Sequence, residues 1–199
     1  MSSRRWWHRQ PRAGSLLLAT PQLQDPNFRR TAVFLIEHAA GPDGGSVGVV
    51  LNRPSRTPVG AVLADWQDLM SEPSVLHDGG PVQPDGALCL AQLTPIAVAA
   101  GGSPVGIQPV VGSIGVVDLD ADAAVVATQV RGVRIFAGHA GWHGGQLAEE
   151  IAQGAWYVVS SRAADLFTNE PASLWRHVLR RQPAPLWWVS TFPDHPEHN

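Results

Sequence analysis

The sequence predicts an α/β (α+β) fold: a single domain built on a mixed, largely antiparallel sheet covered by helices. Three observations carry this expectation. Short runs with strand-like alternation recur from Ser15 to Ser160. The early runs are joined by turn residues that suit hairpins, whereas the later ones alternate with helical patterns. A chain of 199 residues with 44% hydrophobic content is long enough for one domain with a sizeable core.

The elements follow in order. Ser15–Ala19 and residues 31–37 read as strands, with Asp25, Pro26 and Asn27 supplying turn chemistry between them. Residues 46–51 return after the loop AAGPDGG to complete a hairpin, and the run stops at Asn52-Arg53-Pro54 because proline cannot continue a ladder. The spacing of Val62, Leu63, Trp66 and Leu69 predicts a helix over 59–70. Residues 74–77 form a short strand ended by Asp78-Gly79-Gly80-Pro81, and 87–93 form another. The Gly- and Pro-rich segment up to Gly112 is expected to be mostly loop. A strand over 113–118 and a helix over 121–129, with Asp120 as its cap, come next. Strands over 133–137 and Trp156–Ser160 flank a loop and a helix, and helices over 163–167 and 172–181 close the domain, the second with Pro171 near its first turn. Outside this body, 14–182, lie a disordered basic arm over 1–13 and an extended C-terminal tail over 183–199, which Trp187 and Trp188 could dock.

Composition excludes several functions. All 14 basic residues are arginine, so a P-loop lysine, a Schiff-base lysine and a lysine general base are absent. Four of those arginines precede the first acid, leaving ten against seventeen acids in the rest of the chain. A body of that balance disfavours nucleic-acid binding. No apolar run approaches the length of a membrane span, and the patch after the N-terminal arginines is too short for an export signal. The single cysteine, Cys89, permits no internal disulfide and agrees with a reducing compartment. A soluble, cytoplasmic protein without cofactor is expected.

Residues 138–151, GHAGWHGGQLAEEI, place four glycines, two histidines and a tryptophan between a strand pattern and a helix pattern. A metal could be held by His139 and His143, four residues apart, with His77 and Asp78. The glycines argue for a loop, however, and no glutamate stands between the two histidines as a metalloprotease requires, so no metal is expected. Gly44-Gly45-Ser46-Val47-Gly48 matches G-x-S-x-G but follows a loop and opens a strand, the reverse of a nucleophile elbow. Cys89 lies in an apolar strand pattern and reads as an inert buried thiol. An anion site fits better. The amides of Gly144, Gly145 and Gln146 would begin a helix, Arg53 would supply a guanidinium fork next to Asn52, Trp142 would form an apolar wall beside His143, and the Gly79-Gly80-Pro81 turn would border the pocket. Purely structural roles stand beside each of these, Asn52 as a turn cap, Arg53 paired with an acid such as Glu37, and Trp142 in the core.

Four pieces in order, GSLLLATPQLQDPNF, VGVVLNRPS, HDGGPV and IFAGHAGWHGGQLAEEIAQGAW, resemble the YqgE/AlgH family over roughly residues 14–182. The chain departs from the family pattern at His139, where an aromatic residue is usual, and at Ala148, where glutamate is common. The resemblance implies an α/β fold with a mixed sheet, a bacterial cytosolic protein, no agreed biochemical activity and a frequent label of transcriptional regulator. Three function classes stand: a non-catalytic regulatory protein that binds a small anionic ligand or a protein partner, which is favoured; an enzyme of unrecognised type using the Asn52-Arg53 and Trp142-His143 region; and a DNA-binding regulator, which the acidic body disfavours.

Overall fold

The computed structural model describes residues 10–193, so the expected arm lies outside the described residues as far as residue 9, as does the end of the tail. In chain order the elements are β1 (Ser15–Ala19), β2 (Ala32–His38), β3 (Ser46–Val50), β4 (Pro54–Pro58), β5 (Val75–Asp78), β6 (Val82–Leu93), α1 (Pro95–Ala99), β7 (Ile107–Val111), β8 (Ile114–Val117), α2 (Ala123–Ala127), β9 (Val130–Trp142), α3 (Gln146–Ala152), β10 (Trp156–Ser160), α4 (Ala163–Leu166), α5 (Leu174–Arg180) and α6 (Leu186–Val189). The strands run β10-β1-β2-β3-β9-β6-β8-β7 across one curled sheet, with β4 and β5 attached beside β9. Pairing between the strands is antiparallel except where β5 meets β9. This is the mixed α+β single domain that the sequence predicts.

Both faces of the sheet are covered, which is why β1 is buried throughout and apolar from Leu16 to Ala19. Leu16 and Leu18 point with Phe34, Val49, Leu90 and Phe136 into a layer closed by Leu166, Leu174, Trp175, Val178 and Leu186 from the C-terminal helices. Leu17 and Ala19 point the other way, with Val33, Leu35 and Val50, against Leu147 and Ile151 of α3. A third cluster joins Val59 and Trp66 to Cys89, Val117, Val126, Val133 and Ile135. Fully burying side chains of this size contributes roughly 1.5–3 kcal/mol each. No helix among the described residues is long and apolar enough to cross a membrane.

Strand β9 is the axis of the molecule. On one edge it pairs antiparallel with β6, from Ala87↔Ala137 to Leu93↔Val130. Its other edge is shared, with β3 opposite Ala140 to Trp142 and β5 opposite Phe136 and Ala137. Continuing both registers brings Val50 and Gly79 to one residue, Gly138. Two strands that converge on one point leave no room for side chains there. A Cβ on Gly79 would lie 2.2 Å from the Gly138 carbonyl oxygen, and one on Gly80 would lie 2.4 Å from the His139 carbonyl. Gly138 itself takes φ 67°, a conformation glycine adopts at no steric cost. Gly79 closes the junction, donating its N–H to Ala137 and accepting from the Val50 N–H, each at 2.8 Å.

Several elements differ from expectation. The helix expected over 59–70 is two 3₁₀ segments, Val59–Ala61 and Ala64–Leu69, because Gly60 packs against the Gln67 side chain and Trp66 turns into the core. β3 ends at Val50, short of Asn52-Arg53-Pro54, and Pro54 opens β4, an exposed strand that requires few ladder donors. The segment expected to be mostly loop up to Gly112 contains α1, capped by Thr94, and β7, which tolerates Pro109 because it is an edge strand. Asp122, not Asp120, caps α2, its Oδ1 accepting from the Ala124 N–H at 2.8 Å. Strand β9 continues through Gly138 to Trp142, so the corner before α3 is only residues 143–145. Where the tail was expected to be extended, Leu186–Val189 is helical with Leu186 buried, while Trp187 and Trp188 are 44% and 57% exposed.

Two fully buried polar side chains lie side by side on the layer under the C-terminal helices. Arg134 donates to the carbonyls of Glu72 (2.6 Å), Leu166 (2.9 Å) and Thr168 (2.9 Å), tying the end of α4 and two loop positions to β9. Burial pushes its guanidinium down to about 10, still charged at neutral pH. His77, opposite Phe136, has its Nδ1 3.2 Å from the Val75 carbonyl, and its Nε2 has no partner among the described residues. Burial, assisted by the charge of Arg134, pushes His77 down to about 4.

Candidate functional site

The convergence of β3 and β5 opens a cavity of about 270 Å³ beside the junction. Val50 and Ala137 line it from the sheet, Arg53 and Asp78 from the two strand ends, Gly80, Pro81 and Pro84 from the chain leading into and along β6, and Asn27 from the β1–β2 loop. Pro84 belongs to a four-residue excursion of β6: Val82 pairs with His139 and Ala87 with Ala137, so residues 83–86 have a single β9 residue opposite them. Gln83 takes φ 48° in this excursion, a conformation that costs a side-chain-bearing residue about 1 kcal/mol.

Arg53 is held by its surroundings. Its Nη2 donates to the Pro26 carbonyl at 2.7 Å and reaches the Arg29 carbonyl at 3.5 Å, leaving Nη1 and Nε without a partner among the described residues. Burial pushes the guanidinium down, while Asp78 and Asp25 pull it up and Arg29 pushes it further down. Asp78 is bound to Arg53 through the backbone, its N–H donating to the Arg53 carbonyl at 2.8 Å. Its exposed carboxylate makes no hydrogen bond or ion pair among the described residues. Asn52 stands behind the site as a clamp, Oδ1 accepting from the Ala32 N–H and Nδ2 donating to the Arg30 carbonyl, both at 2.9 Å.

The other predicted residues lie elsewhere. Trp142 pairs with Ser46 at the far end of β3 from Val50, roughly 13 Å away at the rise of a strand. It is 5% exposed and packs against Phe28 and Trp156. Glu150 organises this corner. Its Oε2 accepts from the indole N–H groups of Trp142 (2.9 Å) and Trp156 (2.8 Å), and its Oε1 accepts from the Gln146 side chain (2.9 Å). Gln146 in turn accepts from the His143 N–H at 3.0 Å. Gly145 is the N-cap at φ 79°, and Gly144 lies so close to the β2–β3 loop that a Cβ would meet the Pro42 carbonyl oxygen at 1.9 Å. The structure therefore brings Arg53 and Gly80 to one cavity, with Gly79 buried next to it at the junction and Asn52 behind it. Trp142, His143, Gly144, Gly145 and Gln146 form a separate, internally bonded corner.

Nothing local in the sequence singles out Asn27 or Pro84 as cavity residues, and Asp78 reads there only as a possible metal ligand. The sequence signal nearest the cavity is the Gly79-Gly80 pair and the Gly138-x-x-Gly141 piece, of which Gly79 and Gly138 stand where two backbones cross. Of the histidines considered for metal, His77 is buried and His143 exposed, and among the described residues no three His, Cys, Asp or Glu side chains gather. Ser46 of the G-x-S-x-G match lies within β3, with its Oγ 2.8 Å from His38 Nδ1 across the hairpin. Cys89 is fully buried, and burial pushes its thiol up. A larger cavity, about 390 Å³, lies at the sheet edge between residues 10–15, Val111 and residues 158–161, and gathers no charged pair. Volume alone favours that one; the smaller cavity carries the opposed charges.

A family model described as AlgH-like matches residues 16–187. The chain belongs to the AlgH-like family. Among its relatives, a UPF0301 protein of Streptomyces coelicolor is 49% identical over 94% of both chains, and one of Mycobacterium tuberculosis is 48% identical over 92% of this chain and 88% of its own. The crystal structure of a Corynebacterium diphtheriae protein superposes with a TM-score of 0.84 at 30% identity, covering 92% of this chain and 94% of that one. The solution structure of the AlgH protein from Pseudomonas aeruginosa gives 0.64 at 26% identity, covering 94% and 98%. The AlgH-like match spans both the Arg53 cavity and the Glu150 corner.

Proposed function

We propose that this AlgH-like protein is a non-catalytic regulatory protein that binds a small anionic ligand in the Arg53 cavity. One observation carries the proposal: a partly desolvated guanidinium, braced on the Pro26 carbonyl, keeps two nitrogens unpartnered among the described residues at the wall of a cavity. Partial desolvation strengthens a charge-assisted hydrogen bond to a carboxylate or phosphate. The volume is below the ~300–1,000 Å³ typical of drug-sized ligands, which suits a small metabolite. An enzyme using both predicted halves would need them in one cleft, and they stand apart. The lone, buried Cys89 supports a cytoplasmic setting.

A thermal-shift panel of small carboxylates and phosphates tests the proposal. At least one member raises the midpoint of the wild-type chain in a saturable way and leaves Arg53→Ala unshifted. Equal stabilisation of both proteins, or of neither, would contradict it.

A further inference from the structure

The geometry points to a zwitterion as the ligand of this cavity, a small molecule carrying a carboxylate that docks on Arg53 and a primary ammonium that docks on Asp78. This rests on the cavity being a ligand site. Arg53 and Asp78 line the same space and are fixed to one another by a backbone hydrogen bond of 2.8 Å. Their side chains nevertheless form no ion pair among the described residues, since the guanidinium is turned to the Pro26 carbonyl. Each charge thus keeps unfilled hydrogen-bonding capacity toward the cavity. A simple anion on Arg53 would sit beside the Asp78 carboxylate and be repelled by it. A ligand with an ammonium on that side turns the repulsion into attraction. Asn27 offers a further amide, and Val50, Pro81, Pro84 and Ala137 offer apolar surface to a short methylene chain joining the two charges.

The test is a titration of the full, ¹⁵N-labelled chain with 4-aminobutyrate, 5-aminopentanoate, butyrate and butylamine, following the amides of Asp78, Gly79, Gly80 and Ala137. An aminoalkanoate saturates these shifts at a concentration at least tenfold below butyrate and butylamine. In Asp78→Asn that advantage over butyrate disappears, and in Arg53→Gln both ligands lose binding. If butyrate binds wild type as tightly as the aminoalkanoates, the zwitterion is wrong while the anion site stands. If none of the four shifts these amides, the site itself is wrong as well. The comparison of four ligands on the wild-type chain decides the matter even where a variant fails to fold.

Discussion

The backbone amide of Asp78 donates to the carbonyl of Arg53 at 2.8 Å, yet the carboxylate and guanidinium of these neighbours do not pair. The strand ends hold the two charges in register while the Pro26 carbonyl holds the guanidinium to one side. Replacing Arg53 by alanine is expected to remove recognition of the proposed ligand and little of the fold. Urea denaturation of Arg53→Ala is expected to lie within about 1 kcal/mol of wild type, with the native fold retained by circular dichroism.

The glycine junction is less forgiving. Gly79→Ala would put a Cβ 2.2 Å from a backbone oxygen that cannot move without breaking the β9 ladder. A loss of more than ~3 kcal/mol is expected. Gly102→Ala, with nothing within 4 Å of the added atom, changes stability by less than ~0.5 kcal/mol. Equal midpoints for the two variants in chemical denaturation would show that the strands do not converge as described.

Glu150 gathers two indole N–H groups on one oxygen. Glu150→Ala leaves both donors without their acceptor in a packed corner, at a cost of about 3 kcal/mol. Tryptophan emission should shift to the red as Trp142 and Trp156 gain contact with water, and Glu150→Gln, which keeps the carbonyl oxygen, should show a smaller change. An unshifted spectrum in Glu150→Ala would contradict this hub.

Acid weakens the protein through His77. Its folded pKa of about 4 lies below the ordinary value of 6.5, so between those two pH values the unfolded chain binds the extra proton. Stability is fully present above pH 6.5 and declines as pH falls toward 4, by roughly 3 kcal/mol if this group acts alone. Denaturation midpoints measured across that window should fall for wild type and vary less for His77→Gln. Parallel slopes for the two would place the titrating group elsewhere.

The sequence made much of the sheet legible and little of the cavity, for physical reasons. β1 and β10 match their expected limits because local pattern and tertiary burial agree there: every residue of β1 is buried, and β10 answers it residue by residue. β7 was hidden because its Pro109 and the flanking glycines signal loop, whereas an edge strand accepts them. The glycines of residues 138–141 read as a loop because local chemistry cannot distinguish a flexible linker from a strand crossed closely by another backbone. Gly79 and Gly138 are 59 residues apart in the chain and acquire their meaning only when β3 and β5 arrive at the same point of β9. Arg53 and Gly80 were found because a guanidinium at a strand end and a Gly-Gly turn are local signals. Asn27 and Pro84 reach the cavity through long-range packing that no spacing announces. The Trp142 to Gln146 pattern was visible as a built corner, and its bonds close on Glu150, from which the first turn of α3 takes its order.

The most direct measurement is the location of anion-induced shifts in an amide-resolved spectrum titrated with butyrate. Saturable changes are expected at Asp78, Gly79, Gly80 and Ala137, together with the Arg53 side-chain Nε–H, and none of comparable size from Trp142 to Gln146. Saturable shifts centred on residues 142–146, with the Arg53 side chain unmoved, would contradict the Arg53 site.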